Sequence, residues 1–218
     1  MAMQQDAAHQ DAPPPGTSEP RANGVDQRRG VQCVLRDVRA LEAMLARGLF
    51  ESDRRRIGAE QEMVLVDRSL RPAPVSREVL EEIDDERLTH EIGRFNVEYN
   101  CDPIDLAGSC LSDLRDQLTN ALRSVVGASA PHGARPLLTG ICPTVDLSHL
   151  TRANLTQKDR YFALDDALRR LRGEDYELRI DGADELIVRH PTVMLEAANT
   201  SFQIHYQPSP ESFAADYN

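Results

Sequence analysis

The sequence predicts an α+β fold in which an antiparallel or mixed sheet is flanked by helices. Helix-like and strand-like stretches do not alternate one for one along the 218 residues, as a doubly wound parallel sheet would require. Three segments alternate between apolar and polar side chains, the period-two signature of strands with one face in a core. No glycine-rich phosphate loop of the Walker or dinucleotide type is present.

Each element follows from its own residues. Positions 1–30 are rich in Gln, Ala, Pro, Gly and Asp and include Pro13-Pro14-Pro15-Gly16. They hold too little apolar material to fold, which marks a disordered tail ahead of a domain over 31–218. Val31, Val34, Val38, Leu41, Leu45 and Leu49 recur at three- and four-residue steps, so an amphipathic helix runs from Val31 to Phe50. After the charged turn from Glu51 to Arg56 comes a strand ending near Asp67. Ser76 reads as the N-cap of a short helix reaching Asp85. The next strand, Ile92 to Asn100, is ended by Cys101-Asp102-Pro103, because proline restricts its predecessor and cannot donate to a ladder.

Leu111, Leu114, Leu118, Leu122 and Val125 mark a second long helix, and Pro136 to Ile141 a short apolar strand. A further helix starts at Thr156 with Asp159 as capping partner, presents Tyr161, Leu164, Leu168 and Leu171, and stops at Gly173. Asp181-Gly182 is the turn of a hairpin whose strands are 176–180 and 185–188. The last strand covers Thr200 to Gln207. Ser209-Pro210-Glu211 then opens a new helix, so the chain reads as ending in mid-domain.

A formal net charge of -11 argues against nucleic acid or an anionic membrane as partner, since both are polyanions. A small polar substrate fits better. No apolar run is long enough to cross a bilayer and no secretion signal opens the chain, so a cytoplasmic location is expected. The four cysteines, Cys33, Cys101, Cys110 and Cys142, form no CxxC pair and indicate neither a zinc knuckle nor a disulfide framework.

Chemistry concentrates on the polar faces of the strands. Glu60 and Glu62 project the same way, roughly 6 to 7 Å apart along their strand. Like charges that close repel unless a cation lies between them. The Ile92–Asn100 strand sets Phe95, Val97 and Tyr99 against Arg94, Asn96, Glu98 and Asn100; the last strand sets Phe202, Ile204 and Tyr206 against Ser201, Gln203, His205 and Gln207. Acids, amides and an imidazole are binding groups, and the donors are mostly hard oxygens, suited to Mg²⁺ or Mn²⁺. Plainer readings stand beside this one: two harmless acids on a solvated strand, a scaffold histidine bonded to backbone, a glutamine locking a neighbouring strand. Arg94 reads either as a surface charge or as a guanidinium for a phosphate or carboxylate.

Taken with their order and intervals, these segments resemble the glutamate-cysteine ligase family, in particular the plant-type and related bacterial branch of the carboxylate-amine ligases. Ile57-Gly58-Ala59-Glu60-Gln61-Glu62 resembles the family's Ile-Gly-x-Glu-x-Glu strand, whose acids hold the metal ions that bridge ATP phosphates. Arg94-Phe95-Asn96-Val97-Glu98, with Pro103 beyond it, is similar to the strand carrying a metal- or substrate-binding Glu. Asn199-Thr200-Ser201-Phe202-Gln203-Ile204-His205 resembles Thr-Cys-Thr-Val-Gln-Val-Asn, and Lys158-Asp159-Arg160-Tyr161 resembles Lys-Gly-Arg-Tyr at a helix start.

The resemblance implies a glutamine synthetase-like catalytic fold, of which this chain is the N-terminal part. It implies ATP and Mg²⁺ (or Mn²⁺), with glutamate and cysteine as substrates joined through a γ-glutamyl phosphate. Metal ligands would be Glu60, Glu62, Glu98, Gln203 and His205. ATP or substrate contacts would be Arg94, Asn96, Arg160, Tyr161 and Ser201; no covalent nucleophile is needed. His205 stands where plant-type members carry Asn, and Ala198 where they carry Arg. Two alternatives share these residues: a ligase of the same chemistry with another amine acceptor, and a non-catalytic relative that binds a nucleotide or amino acid.

Overall fold

The computed structural model describes residues 24–173 and 175–218. Most of the tail expected over 1–30, namely 1–23, lies outside the described residues. The chain divides into two compact units, Met1–Glu51 and Ser52–Asn218. In the first, helix α1 spans Gly24–Ala46, starting ahead of Val31 and stopping short of Phe50. Its end is set by Gly48, whose φ of +61° is open to glycine at little cost. The Gly48 N–H donates to the Leu45 carbonyl and the Leu49 N–H to Met44, the paired bonds of a Schellman motif.

The second unit is organised around β1 (Arg56–Val66). Along one edge β1 pairs with β3 (Asn96–Asn100) and β4 (Ile104–Asp105); along the other it pairs with β8 (Phe202–Gln207) and β5 (Arg135–Leu137), all antiparallel. The strand β2 (Leu88–His90) adds outside β3. With α2 (Ser76–Glu81), α3 (Cys110–Ser129) and α4 (Asp159–Arg172) around this sheet, the fold is α+β, as the sequence predicts. A separate hairpin joins β6 (Tyr176–Asp181) to β7 (Glu185–His190), and α5 (Phe213–Tyr217) comes last. Among the described residues no helix is long and apolar enough to cross a membrane.

Alternation along β1 sends its side chains into two different cores. Met63 and Leu65 join Val97, Tyr99, Leu88 and the α3 residues Ala121 and Val125 on one face. Val64 and Val66 join Phe95, Leu155, Tyr161 and Met194 on the other. Each large side chain buried there contributes about 1.5–3 kcal/mol. Glu60 and Glu62 share the face of Val64 and Val66 but lie toward the N-terminal end of the strand, beyond that second core.

Several local expectations shift. Ser76 is the first residue of α2, not its cap, and the helix ends at Glu81. Thr156 lies ahead of α4; its hydroxyl donates instead to the Glu91 carbonyl at 2.5 Å. The faces of Phe202, Ile204 and Tyr206 on β8 are 49%, 64% and 40% exposed. Phe202 and Ile204 border an apolar cavity of about 380 Å³ between the sheet and α3 that has no acid in its wall. The four cysteines are free thiols.

Candidate metal centre

Register brings the acids together. Across β1 and β3, Glu62 stands directly opposite Glu98 and Glu60 opposite Asn100. Directly opposed side chains share a face with their Cβ atoms about 5 Å apart, and like charges there are destabilising. On the other edge Glu60 faces Gln203, and Gly58 faces His205. One sheet face therefore carries Glu60, Glu62, Glu98, Asn100, Gln203 and His205.

A further acid completes the cluster. In β2, Thr89 pairs with Glu98, so Glu91, two residues on, projects to the same side. Carboxylate oxygens of Glu62, Glu91 and Glu98 lie within 4.8 Å of one another. The residues following β2 are pinned: the Ile92 N–H donates to Glu91 Oε2 at 3.1 Å, while Thr156 holds the Glu91 carbonyl. Glu98 accepts from the Asn100 amide at 2.8 Å. Glu62 accepts from the Ser201 N–H at 2.7 Å, and its own N–H donates to the Ser201 carbonyl.

Of these carboxylates, Glu62 and Glu91 line a cavity of about 200 Å³ together with Asn96, Glu196, Ser201 and Gln203. Glu196 comes from the 3-10 segment Val193–Ala198. Asn96 is 2% exposed and its Oδ1 has no hydrogen-bond partner. The backbone crowds this amide from behind, since a Cβ on Gly93 would come within 2.5 Å of that oxygen.

Proton affinities report the strain of gathering these charges. Burial pushes Glu91 up to about 7, and the charges of Glu98 and Glu62 add to it against the Ile92 N–H. Glu62 is also raised, first by burial and then by Glu98 and Glu196, while the Ser201 N–H pulls it down. A carboxylate cluster that resists ionisation when empty is one that a divalent cation stabilises. Oxygen ligands on an octahedral ion at 2.0–2.1 Å lie about 3 to 4 Å apart, a spacing within the observed spread. The donors are hard oxygens throughout, so the residues fit Mg²⁺ or Mn²⁺.

The other residues expected at the site fall in four places. Glu60 lies beside the cluster, its Oε1 3.3 Å from His205 Nε2, so the imidazole engages a carboxylate. Ser201, Gln203 and Asn96 border the cavity. Arg160 stacks on the Tyr161 ring, 4.6 Å from its centroid, and donates to the Tyr161 hydroxyl, which donates to the His90 carbonyl. Arg94 lines a different cavity, beside Lys158 and His90. Glu91 and Glu196 were not among the residues singled out from sequence. Thr89-His90-Glu91 does alternate correctly, but β2 is only three residues long and offers too short a period to read.

Comparison with known proteins gives one match. A family model described as glutamate-cysteine ligase family 2 (GCS2) matches residues 56–212, more than half of the chain. No curated protein and no solved structure matches.

Proposed function

From the premise that the chain belongs to glutamate-cysteine ligase family 2, and so to the carboxylate-amine ligases, we propose that it takes part in an ATP-dependent condensation of glutamate with cysteine. The observation that carries this reading is the placement of Glu62 directly across from Glu98 with Glu91 closing the triangle. Glutamate's γ-carboxylate oxygen attacks the γ-phosphorus of ATP, and the bond to ADP breaks. The amine of cysteine then attacks the acyl carbon, phosphate leaves with the bonding pair, and the amine loses a proton. Another amine in place of cysteine would run through the same steps.

Glu62, Glu91 and Glu98 are the residues that would hold Mg²⁺ or Mn²⁺, with Gln203 and the free Asn96 Oδ1 beside them. When bound, the ion neutralises phosphate charge during phosphoryl transfer. The protein's own contribution is orientation fixed in advance. The Ser201 N–H fixes Glu62, the Asn100 amide fixes Glu98, and Thr156 fixes the backbone at Glu91. Glu60 holds the His205 imidazole at 3.3 Å, a carboxylate–imidazole pair suited to accept the proton released by the attacking amine. Proximity and electrostatics supply the catalysis, and no side chain forms a bond to substrate.

The test is ADP release with glutamate and cysteine in the presence of Mg²⁺, for the protein and its Glu62→Ala and Glu98→Ala variants. The reading requires glutamate-dependent turnover that falls by at least about a hundredfold in each variant. Full turnover in either one, with the fold retained by circular dichroism, overturns it.

A further inference from the structure

The hairpin of β6 and β7 forms a sheet of its own, and among the described residues each of its strands has one partner and one free edge. A pair of strands without a third is marginally stable in water. Side chains alternate across it, so Glu177, Arg179, Glu185, Ile187 and Arg189 share one face, where Arg189 holds Glu177 at 2.8 Å and Arg179 holds Glu185. Leu178, Ile180, Leu186 and Val188 share the other. Ile187 breaks the pattern, an apolar side chain amid the charged face, 53% exposed and near the middle of β7.

A free strand edge is a template for another strand, and the residues of β7 match a second copy of β7. Laid antiparallel about a two-fold axis at Ile187, Glu185 stands opposite Arg189 of the second copy, Leu186 opposite its Val188, and Ile187 opposite itself. Each of these pairs is apolar with apolar or acid with base. Centring the axis on Leu186 or Val188 instead, the neighbouring registers that keep like faces together, sets Glu185 or Arg189 against Ile187. The edge of β6 is less well matched: about Leu178, where Glu177 meets Arg179, Asp175 also meets Asp181.

The same axis extends what each hairpin already holds. Arg189 then lies between Glu177 of its own chain and Glu185 of the second copy, while the apolar face runs unbroken from Leu178 through Val188 to Leu186 and Ile180 of the second copy. We propose that β7 is a dimerisation edge, at which two copies of the protein join their hairpins into one four-stranded antiparallel sheet. A single strand edge buries less than the roughly 1,200 Å² of a tight complex, so the dissociation constant falls in the micromolar range.

Sedimentation equilibrium of the whole chain, from low to high micromolar concentration, tests the assignment. The expected result for the wild type is a monomer-dimer equilibrium. Ile187→Lys and Ile187→Glu each place like charges at the axis and should weaken it by at least about tenfold. Neither substitution removes an ion pair of the hairpin, and the side chain replaced is exposed. An equimolar mixture of the two variants sets lysine against glutamate at the axis and should associate more tightly than either variant alone. A wild type that stays monomeric, which leaves the edge to some other partner, would overturn the proposal. Self-association that neither substitution weakens, or a mixture no tighter than its components, would do the same.

Discussion

Replacing Glu91 by Gln should make the metal-free protein more stable at pH 8 and leave it nearly unchanged at pH 4. Glu91 takes up its proton near 7 in the folded protein, against 4.5 for a free side chain. The folded state therefore binds more protons than the unfolded one between these values, and stability falls as pH rises through that window. Above pH 7 both states are ionised and the full penalty remains. Each tenfold change in proton affinity is worth about 1.4 kcal/mol, which sets an upper bound of roughly 3 kcal/mol for the whole interval. Glu91 is only partly buried, so solvent screening reduces this to about 1–2 kcal/mol.

Gln is nearly isosteric and keeps an oxygen for the Ile92 N–H. At pH 8 with a chelator, the variant should melt about 2–8 °C higher by calorimetry. Near pH 4, below both values, the side chain is largely neutral folded or unfolded, and the two proteins should nearly coincide. With millimolar Mg²⁺ at pH 8 the order should close or reverse, because the wild type gains from the ion. A variant no more stable at pH 8 than at pH 4, relative to wild type, would refute the electrostatic reasoning.

Four more outcomes are expected. Thr156→Val removes the hydroxyl that holds the Glu91 carbonyl and should cost about 1–2 kcal/mol by urea denaturation, with weaker Mn²⁺ affinity. Gly93→Ala forces a Cβ to within 2.5 Å of Asn96 Oδ1 and 3.0 Å of Ala197; the same assay should record a loss of about 1–3 kcal/mol. Arg152→Ala strands the fully buried Asp165 carboxylate, which now pairs with Arg152 at 2.8 Å and accepts from the Val193 N–H. That loss should reach about 3–5 kcal/mol in a thermal or chemical melt. His205→Ala should leave Mn²⁺ affinity in titration within about threefold, since the imidazole engages Glu60 and lies outside the three-carboxylate cluster.

Much of this arrangement was legible because a strand's two-residue period is written directly in its side chains. Glu60 and Glu62 share a face whatever lies next to them, and so do Gln203 and His205. What the period does not contain is register. Nothing local to β1 says that Glu62, rather than Glu60, stands across from Glu98; that depends on how the chain returns from α2 through β2 and the turn at Gly93. Glu91 was hidden because it follows a strand only three residues long, and Glu196 because a 3-10 segment presents no period to follow.

The same limit explains the differences in the helices and in β8. Thr156 carries the chemistry of an N-cap, but its hydroxyl meets a carbonyl distant in sequence and the helix begins later, at Asp159. Val31 opens the apolar stripe of α1, yet the backbone helix extends further toward the N-terminus than that stripe. Alternation in β8 distinguishes its two faces correctly without showing how much of the apolar one is covered. Phe202 and Ile204 border a cavity and remain about half exposed or more.

Anomalous diffraction at the manganese edge, from crystals of the protein soaked in Mn²⁺, would examine the three-carboxylate cluster directly. The expected peak lies within bonding distance of oxygens from Glu62, Glu91 and Glu98. A well-occupied peak elsewhere, or none among these side chains at saturating Mn²⁺, would contradict the assignment of this cluster as the metal centre.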